Sequence, residues 1–359
     1  MTHSIRRLKN NSGIILLVVL WILVILIALA VSLGRSSRIT VALTKNAVEK
    51  VKSHAIALGG FLYALDQSRL DNRDPNSSFQ DDLSYCAIAI NPAAPADVIF
   101  KNKELGDGHF DVSYAEKDLD SDTIINRYGM MDEERKINLN ALTIQNHAIL
   151  SSLITLLGTE QQTADRIAYS VLDWKDSDDA LSHKEYGAED DFYTDQAKPY
   201  HCKNLPFDSI EELQLVQGMT PEIFARLKPY VTVYPKTGDL KINFETAPAV
   251  VLQALARSYT GSHSNTKEAD ADSLADKIIS FRKGEDSQAY TADDRVIDIN
   301  AMPLMEKETA ILLIIGQFRT MKSDYVRIRV KAKAASGISS TIESVVSRNN
   351  LAIMSWQRH

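Results

Sequence analysis

Ile14 to Leu33 is a run of 20 residues without a charge, and at about 1.5 Å rise per residue a helix of that length matches the roughly 30 Å hydrocarbon core of a bilayer. The pattern then changes. From Arg38 to Leu65, apolar residues recur at Ile39, Leu43, Ala47, Val51, Ala55, Leu58, Leu62 and Leu65, in steps of three or four, with Lys45, Glu49, Lys50 and Lys52 between them. These steps predict that the helix continues as an amphipathic rod with its apolar stripe on a folded head. The polar stretch Asp71 to Asp82 should break it. Beyond it, Leu83 to Ile90, Phe110 to Glu116 and Arg127 to Asn140 read as strands. Ala141 to about Gly316 reads as mostly helical, and Asp324 to Ala334 with Thr341 to Arg348 as two alternating runs making a hairpin. Strands at both ends with helices between predict an α+β head interrupted by a helical insertion. Ser258 to Asp272 is expected to be a mobile loop within that insertion.

Inside the insertion a short theme recurs at Ile137, Ile242 and Ile297: a β-like run, a cap, then a helix, twice with a proline (Pro248, Pro303) in its first turn. Between the first two, Ser209 and Glu212 have capping-box spacing, and Gly218-Met219-Thr220-Pro221 turns one helix into the next. That unit resembles a helix-hairpin-helix, a module that often grips DNA phosphates. The acidic surroundings favour a purely structural αα-hairpin. Arg226 and Lys228 could contribute to nucleic-acid binding, but a basic cluster across both hairpin ends is missing.

Composition bounds the classes. The 359 residues, 45% hydrophobic and 24% charged, suffice for two soluble domains beyond the rod. The formal net charge of −7 argues against general binding of nucleic acid or anionic lipid. Two cysteines, Cys86 and Cys202, would be free to pair in an exported location, and two buried thiols fit equally. No H-E-x-x-H, G-x-x-x-x-G-K-[ST], G-x-S-x-G or C-x-x-C occurs, so an enzyme is not expected.

The residues before the apolar run carry an instruction of their own. Arg6, Arg7 and Lys9 lead to Gly13, and Gly34-Arg35-Ser36 after the run offers no small-residue exit for signal cleavage. A polar leader stopping at a glycine resembles a type IV prepilin-like leader, which a membrane peptidase cuts between Gly13 and Ile14. The positive flank is expected on the cytoplasmic side. The alternative is an ordinary anchor with an incidental glycine.

The densest chemistry is Asp173 to Asp195, with nine acidic residues against two lysines. Such density is self-repelling unless the segment is disordered or holds a cation, and Trp174, Tyr186, Phe192 and Tyr193 argue against disorder. Asp176, Asp178 and Asp179, then Glu189, Asp190 and Asp191, with Gly187 to permit a tight turn, offer the oxygens that Ca²⁺ takes six to eight at a time. The EF-hand spacing is absent. A solvated acidic loop is the alternative.

Taken together, the leader ending in Gly13, KINLNALT, LDWKDSDD, GAEDDFY, SIEELQLVQGMTPEIFARLKPYVTV and INFETAPAVVLQAL resemble the K-class minor pseudopilins of the type II secretion system, in consistent order to about Leu255. The resemblance implies a pilin-like α/β head with a large, mainly helical insertion and a place at the pseudopilus tip. It implies I- and J-class minor pseudopilins, the major pseudopilin, the prepilin peptidase and the inner-membrane secretion platform as partners. A single inner-membrane pass with the head in the periplasm follows. It also implies one or two Ca²⁺ ions on the acidic loop, with Asp176, Asp178, Glu189 and Asp190 the best ligands and Asp173, Asp179 and Asp191 further candidates. The implied division is leader 1–13, membrane helix 14–34, amphipathic continuation 35–70, head 71–135, insertion 136–318 and terminal strands 319–359. Most pilin-like chains carry a glutamate five residues into the mature sequence, opposite the amine of the preceding subunit; here that position is Val18, as this class typically has it. Ile14 replaces the phenylalanine common at the first mature position, where methylation would fall. A membrane-anchored DNA-uptake or adhesion protein is the alternative function.

Overall fold

The computed structural model describes residues 12–73, 99–117, 124–261, 265–287 and 294–359. It opens with one helix, α1 (Ser12–Arg73), of 62 residues. That helix is long and apolar enough to cross a membrane, and its most apolar window is unburied among the described residues.

Further along, α1 lies on a sheet through Ser53, Ile56, Ala57, Gly60, Phe61, Ala64 and Ser68, all buried. This corrects the face expected from periodicity: Ile39, Leu43, Val51, Leu58 and Leu62 are exposed. The cause is how closely the helix approaches. A Cβ on Gly60 would fall 2.7 Å from side-chain atoms of both Phe110 and Val330, so the contact face is built around small residues, which carry little apolar signal.

The sheet starts with β1 (Lys103–Leu105), β2 (Gly108–Lys117), β3 (Ile124–Tyr128) and β4 (Met131–Asp132). The chain then leaves it through β5 (Ile137–Asn138), helices α2 (Ala148–Leu156), α3 (Gln161–Lys175), α4 (Asp190–Thr194) and α5 (Pro221–Leu227), and strands β6 (Val231–Thr232) and β7 (Ile242–Asn243). Next come α6 (Ala249–Arg257), α7 (Glu268–Arg282), α8 (Glu306–Ile315) and β8 (Arg319–Thr320). The return to the sheet is β9 (Tyr325–Ala334), followed by β10 (Ser339–Ser347) and β11 (Ile353–Arg358).

The antiparallel order is β1-β2-β9-β10-β11, with β3 on the far half of β2 and β4 beside the start of β9. Exit and return are therefore neighbours, Asp132 opposite Val326. Alternation along β9 buries Val326, Ile328, Val330, Ala332 and Ala334 in one core with Ile56, Phe61 and Phe110. A second core runs through the insertion, from Ile137 to Ile315, tied by the parallel pairs β5–β6 and β7–β8.

From the last residue of β4 up to β5 the five residues Asp132, Glu133, Glu134, Arg135 and Lys136 are all buried. Arg127 to Asn140 is thus three short strands around a charged turn. Glu133 accepts from Lys136 Nζ (3.0 Å), Arg327 Nε (2.6 Å) and Thr232 Oγ1 (2.5 Å). Asp132 accepts from Asn243 Nδ2 (2.9 Å) and Thr246 Oγ1 (2.6 Å). The network joins β9 of the sheet to the insertion.

Other departures are local. Helix α7 begins at Glu268, inside the expected loop; Pro248 is the cap of α6, and Pro303 stands before α8. The first arm of the hairpin unit is a 3₁₀ turn, Ile210–Leu215, although the Ser209–Glu212 capping box forms as expected. Strand β11 had no sequence signal strong enough to single it out. The strand expected at Leu83 to Ile90, with Cys86, lies outside the described residues, as do residues 1–11.

Candidate metal centre

Helix α3 buries Ala164, Ile167, Ala168, Val171 and Leu172 along one face and ends with Trp174, 3% exposed. Its last turn therefore presses into the core and carries Asp173 with it, fully buried. The Asp173 carboxylate accepts backbone N–H bonds from Ser182 (2.8 Å) and Ala188 (2.7 Å), so the acidic loop is clamped back onto the helix that starts it. Gly187 permits this by proximity: a Cβ there would sit 2.3 Å from Asp173 Oδ2.

Asp176 is the first residue past the helix, its N–H donating to Leu172 O at 3.1 Å. Glu189 caps α4. One oxygen each from Asp173, Asp176 and Glu189 lie within 4.8 Å of one another. Asp176 Oδ1 and both carboxylate oxygens of Glu189 are buried without a hydrogen-bond partner. Burial, then the charges of Asp173 and Asp176, push Glu189 up to about 8. Burial, then Asp178 and Asp173, push Asp176 up to about 6, and burial also raises Asp173.

The other four carboxylates stand differently. Asp178 is exposed and accepts from the N–H of Ala180 at 2.9 Å; Asp179 is exposed and accepts from Asn204 Nδ2 at 3.3 Å. Both add negative charge felt by Glu189. Asp190 is committed elsewhere, accepting from Cys202 N–H (2.8 Å) and facing His201 Nδ1 (3.0 Å). Asp191 is exposed in the first turn of α4. The aromatics act as anchors, Trp174 meeting Tyr193 edge-on at 5.1 Å and Tyr193 meeting Tyr200 at 5.3 Å. Cys202 is a buried free thiol, pushed up to about 12 by burial.

Three convergent carboxylates with three unpartnered buried oxygens suit a hard divalent cation. An ion would supply the missing partners and turn mutual repulsion into attraction. The donor set is all oxygen, which fits Ca²⁺ and disfavours softer metals.

At the hairpin unit, Arg226 donates to Leu157 O (3.2 Å) and Lys228 pairs with Glu211 (3.0 Å), so both basic residues singled out for nucleic acid are engaged within the insertion. Gly13 lies in the opening turn of α1 with nothing within 4 Å of its Cβ position, and Ile14 beside it is exposed.

A membrane-length helix whose second half packs on an antiparallel sheet, with a helical domain inserted before the last three strands, is a pilin-like fold carrying an insertion. Residues 135–236 match the family model for type II secretion system protein K. The putatively described type II secretion system protein K of Escherichia coli is 34% identical over 127 residues, 33% of this chain and 38% of that protein. Type II secretion system protein K of Aeromonas hydrophila is 27% identical over 240 residues, 66% of this chain and 68% of that one. The alignments thus span from under half to about two thirds of these relatives. A chain from the crystal structure of the GspK–GspI–GspJ complex of the enterotoxigenic Escherichia coli type 2 secretion system shares the fold, with a TM-score of 0.62 at 20% identity over 88% of this chain and 99% of that one. These matches make the chain similar to type II secretion system protein K over the stretches aligned.

Proposed function

We propose that the chain is a minor pseudopilin at the tip of the type II secretion pseudopilus, helping to initiate its assembly and so to export folded proteins across the outer membrane. The observation that carries this reading is the continuity of α1, one apolar helix running from a membrane-length segment to the underside of a sheet, with the protein K domain inserted behind it. In this reading the helix crosses the inner membrane once, the head stands in the periplasm, and the prepilin peptidase cuts between Gly13 and Ile14. Val18 supports a tip position. A glutamate there would need an amine ahead of it, because a lone carboxylate in lipid is costly, and a first subunit has none. I- and J-class minor pseudopilins are the nearest partners, as in the complex of the structural neighbour, with the major pseudopilin and the inner-membrane platform beyond them.

The insertion holds Ca²⁺ through Asp173, Asp176 and Glu189, while Asp178 and Asp179 add negative charge around them. The ion supplies positive charge that fastens the loop between α3 and α4; the protein positions that loop through the Asp173 clamp. Co-purification of the full chain in detergent with I- and J-class minor pseudopilins tests the assignment. A stable ternary complex is expected, and a chain that elutes alone from a mixture of all three would overturn it.

A further inference from the structure

The turn that leaves the sheet carries three consecutive acids into the interior, Asp132, Glu133 and Glu134, at 2%, 0% and 4% exposure. The cations around them are shared unevenly. Glu133 takes Lys136 and Arg327, and Arg135 reaches out to Glu116. Asp132 accepts from Asn243 Nδ2, from Thr246 Oγ1 and from the Glu134 N–H at 2.7 Å, while Glu134 Oε2 accepts from the Asp324 N–H at 3.1 Å. The hydrogen-bond donors to these two carboxyls are thus neutral, and burying such a group as an anion is costly.

Ser323 makes the difficulty specific. Its hydroxyl lies 3.0 Å from Tyr325 O and also bonds the carboxyls of Asp132 and Glu134. One hydroxyl hydrogen therefore faces three acceptors, and a carboxyl that keeps its own proton supplies a second. The neighbouring charges favour this at Glu134. Asp132 from the exit turn and Asp324 from the return segment both oppose its ionisation, and Arg135 acts on Asp132. The Tyr325 phenol is itself pushed up by burial, Asp324 and Glu134. The insertion contributes the uncharged Asn243 and Thr246. Arg348, buried after β10, donates from Nη1 to Ser323 O at 3.1 Å and from its N–H to Asp324 O at 2.8 Å. Glu134 also ties the two cores together: its side chain holds the return segment, and its carbonyl accepts from the Asn243 N–H of the insertion at 2.8 Å.

We propose that Glu134 is a proton latch at the base of the insertion. As the neutral acid, with its O–H donating to Ser323 Oγ, it seats the exit turn against the return segment, and release of that proton to water loosens the insertion from the sheet. Seated, the carboxyl keeps its proton up to about pH 8; exposed by opening, it returns to the ordinary glutamate value of 4.5. The latched state therefore weakens as pH rises through that interval and no further above it.

Hydrogen–deuterium exchange of the full chain in detergent tests this, read by mass spectrometry on peptides from the exit turn and the return segment, with β10 peptides as control. After correction for the pH dependence of intrinsic exchange, opening in wild type should rise by up to about tenfold per pH unit from about pH 5 and level off near pH 8, at the junction more than in β10. Glu134→Gln keeps a donor and an acceptor but has no proton to lose, so its junction should stay closed across the same range. Asp324→Asn removes a like charge facing Glu134 and should level off at lower pH; it decides the matter if Glu134→Gln fails to fold. A flat response in wild type, the same rise in Glu134→Gln, an equal rise in β10, or an unmoved end point in Asp324→Asn would each overturn the latch.

Discussion

Gly187 and Glu189 show how single atoms decide the acidic loop. At Gly187 the backbone passes so close to Asp173 that a methyl group has no room, 2.3 Å from Oδ2, and the obstructing atom belongs to a carboxylate held by two backbone N–H groups. Gly187→Ala should therefore cost about 2 kcal/mol of stability, and limited proteolysis should show cleavage between Asp176 and Glu189 that wild type resists. Glu189 and Asp176 give the loop a pH dependence. Their folded-state values, about 8 and about 6, are raised, so below pH about 4 both folded and unfolded chains hold these protons and the contribution is intact. As pH rises the unfolded chain releases them first, and stability is lost up to about pH 8. Without Ca²⁺ the melting temperature should fall across that window. With saturating Ca²⁺, which binds the ionised carboxylates, the fall should be shallower. Burial and Asp132 raise Glu134 to about 8 as well, but it lies in the charged turn and adds the same slope to both curves. Identical slopes with and without Ca²⁺ would contradict the metal assignment. The acidic density was legible as a cation site; which three carboxylates converge was not, because Asp190 is diverted by Cys202 N–H and His201, a contact across 12 positions that spacing does not encode.

Among the elements, the ones that sequence reading identified have periodicity as their main determinant. The hairpin of β9 and β10 and the strand β2 alternate cleanly, and α1 repeats at helical steps. It failed where proximity or charge pairing decides the structure. The face of α1 on the sheet is set by Gly60 and two alanines beside Ile56 and Phe61, while Leu43, Val51, Leu58 and Leu62 point away. The turn after β4 reads as a surface run of charges, yet Glu133 is completely buried because Arg327 and Lys136 reach it from both sides. Burial alone would raise the Glu133 carboxyl, but those two cations hold it well below the usual range. Arg327 comes from β9, almost two hundred positions away, so no local pattern announces the pair. Arg327→Met should cost roughly 3 kcal/mol, since one partner of a buried ion pair is lost while Lys136 remains. Guanidinium unfolding of the full chain should show this as a lower midpoint. Arg329→Met, on the same strand but half exposed and 3.6 Å from Glu343, should change the midpoint by under about 1 kcal/mol. Equal effects would mean that the buried turn carries little of the stability.

For the whole molecule, the arrangement of exit and return strands explains how a large insertion coexists with a pilin-like sheet. Asp132 and Val326 face each other, so the insertion is closed off at its base by a ladder pair and by the Glu133–Arg327 ion pair, and the sheet is continuous across the gap. The order of parts was readable from the sequence because each has its own pattern: an uncharged run, a helical middle and alternating ends. The length of the chain allowed two domains with a core each, and two cores form, meeting at a polar junction. Above that base, α1 offers an apolar surface along its first half that the other described residues do not cover, which suits a helix embedded in lipid and then drawn into a filament. As a tip subunit, this chain has the proposed role of starting the filament. Gold labelling of an epitope-tagged, functional copy on isolated pseudopili tests it most directly. The label should mark a single end of each filament, whereas label spread along the shaft would contradict the claim.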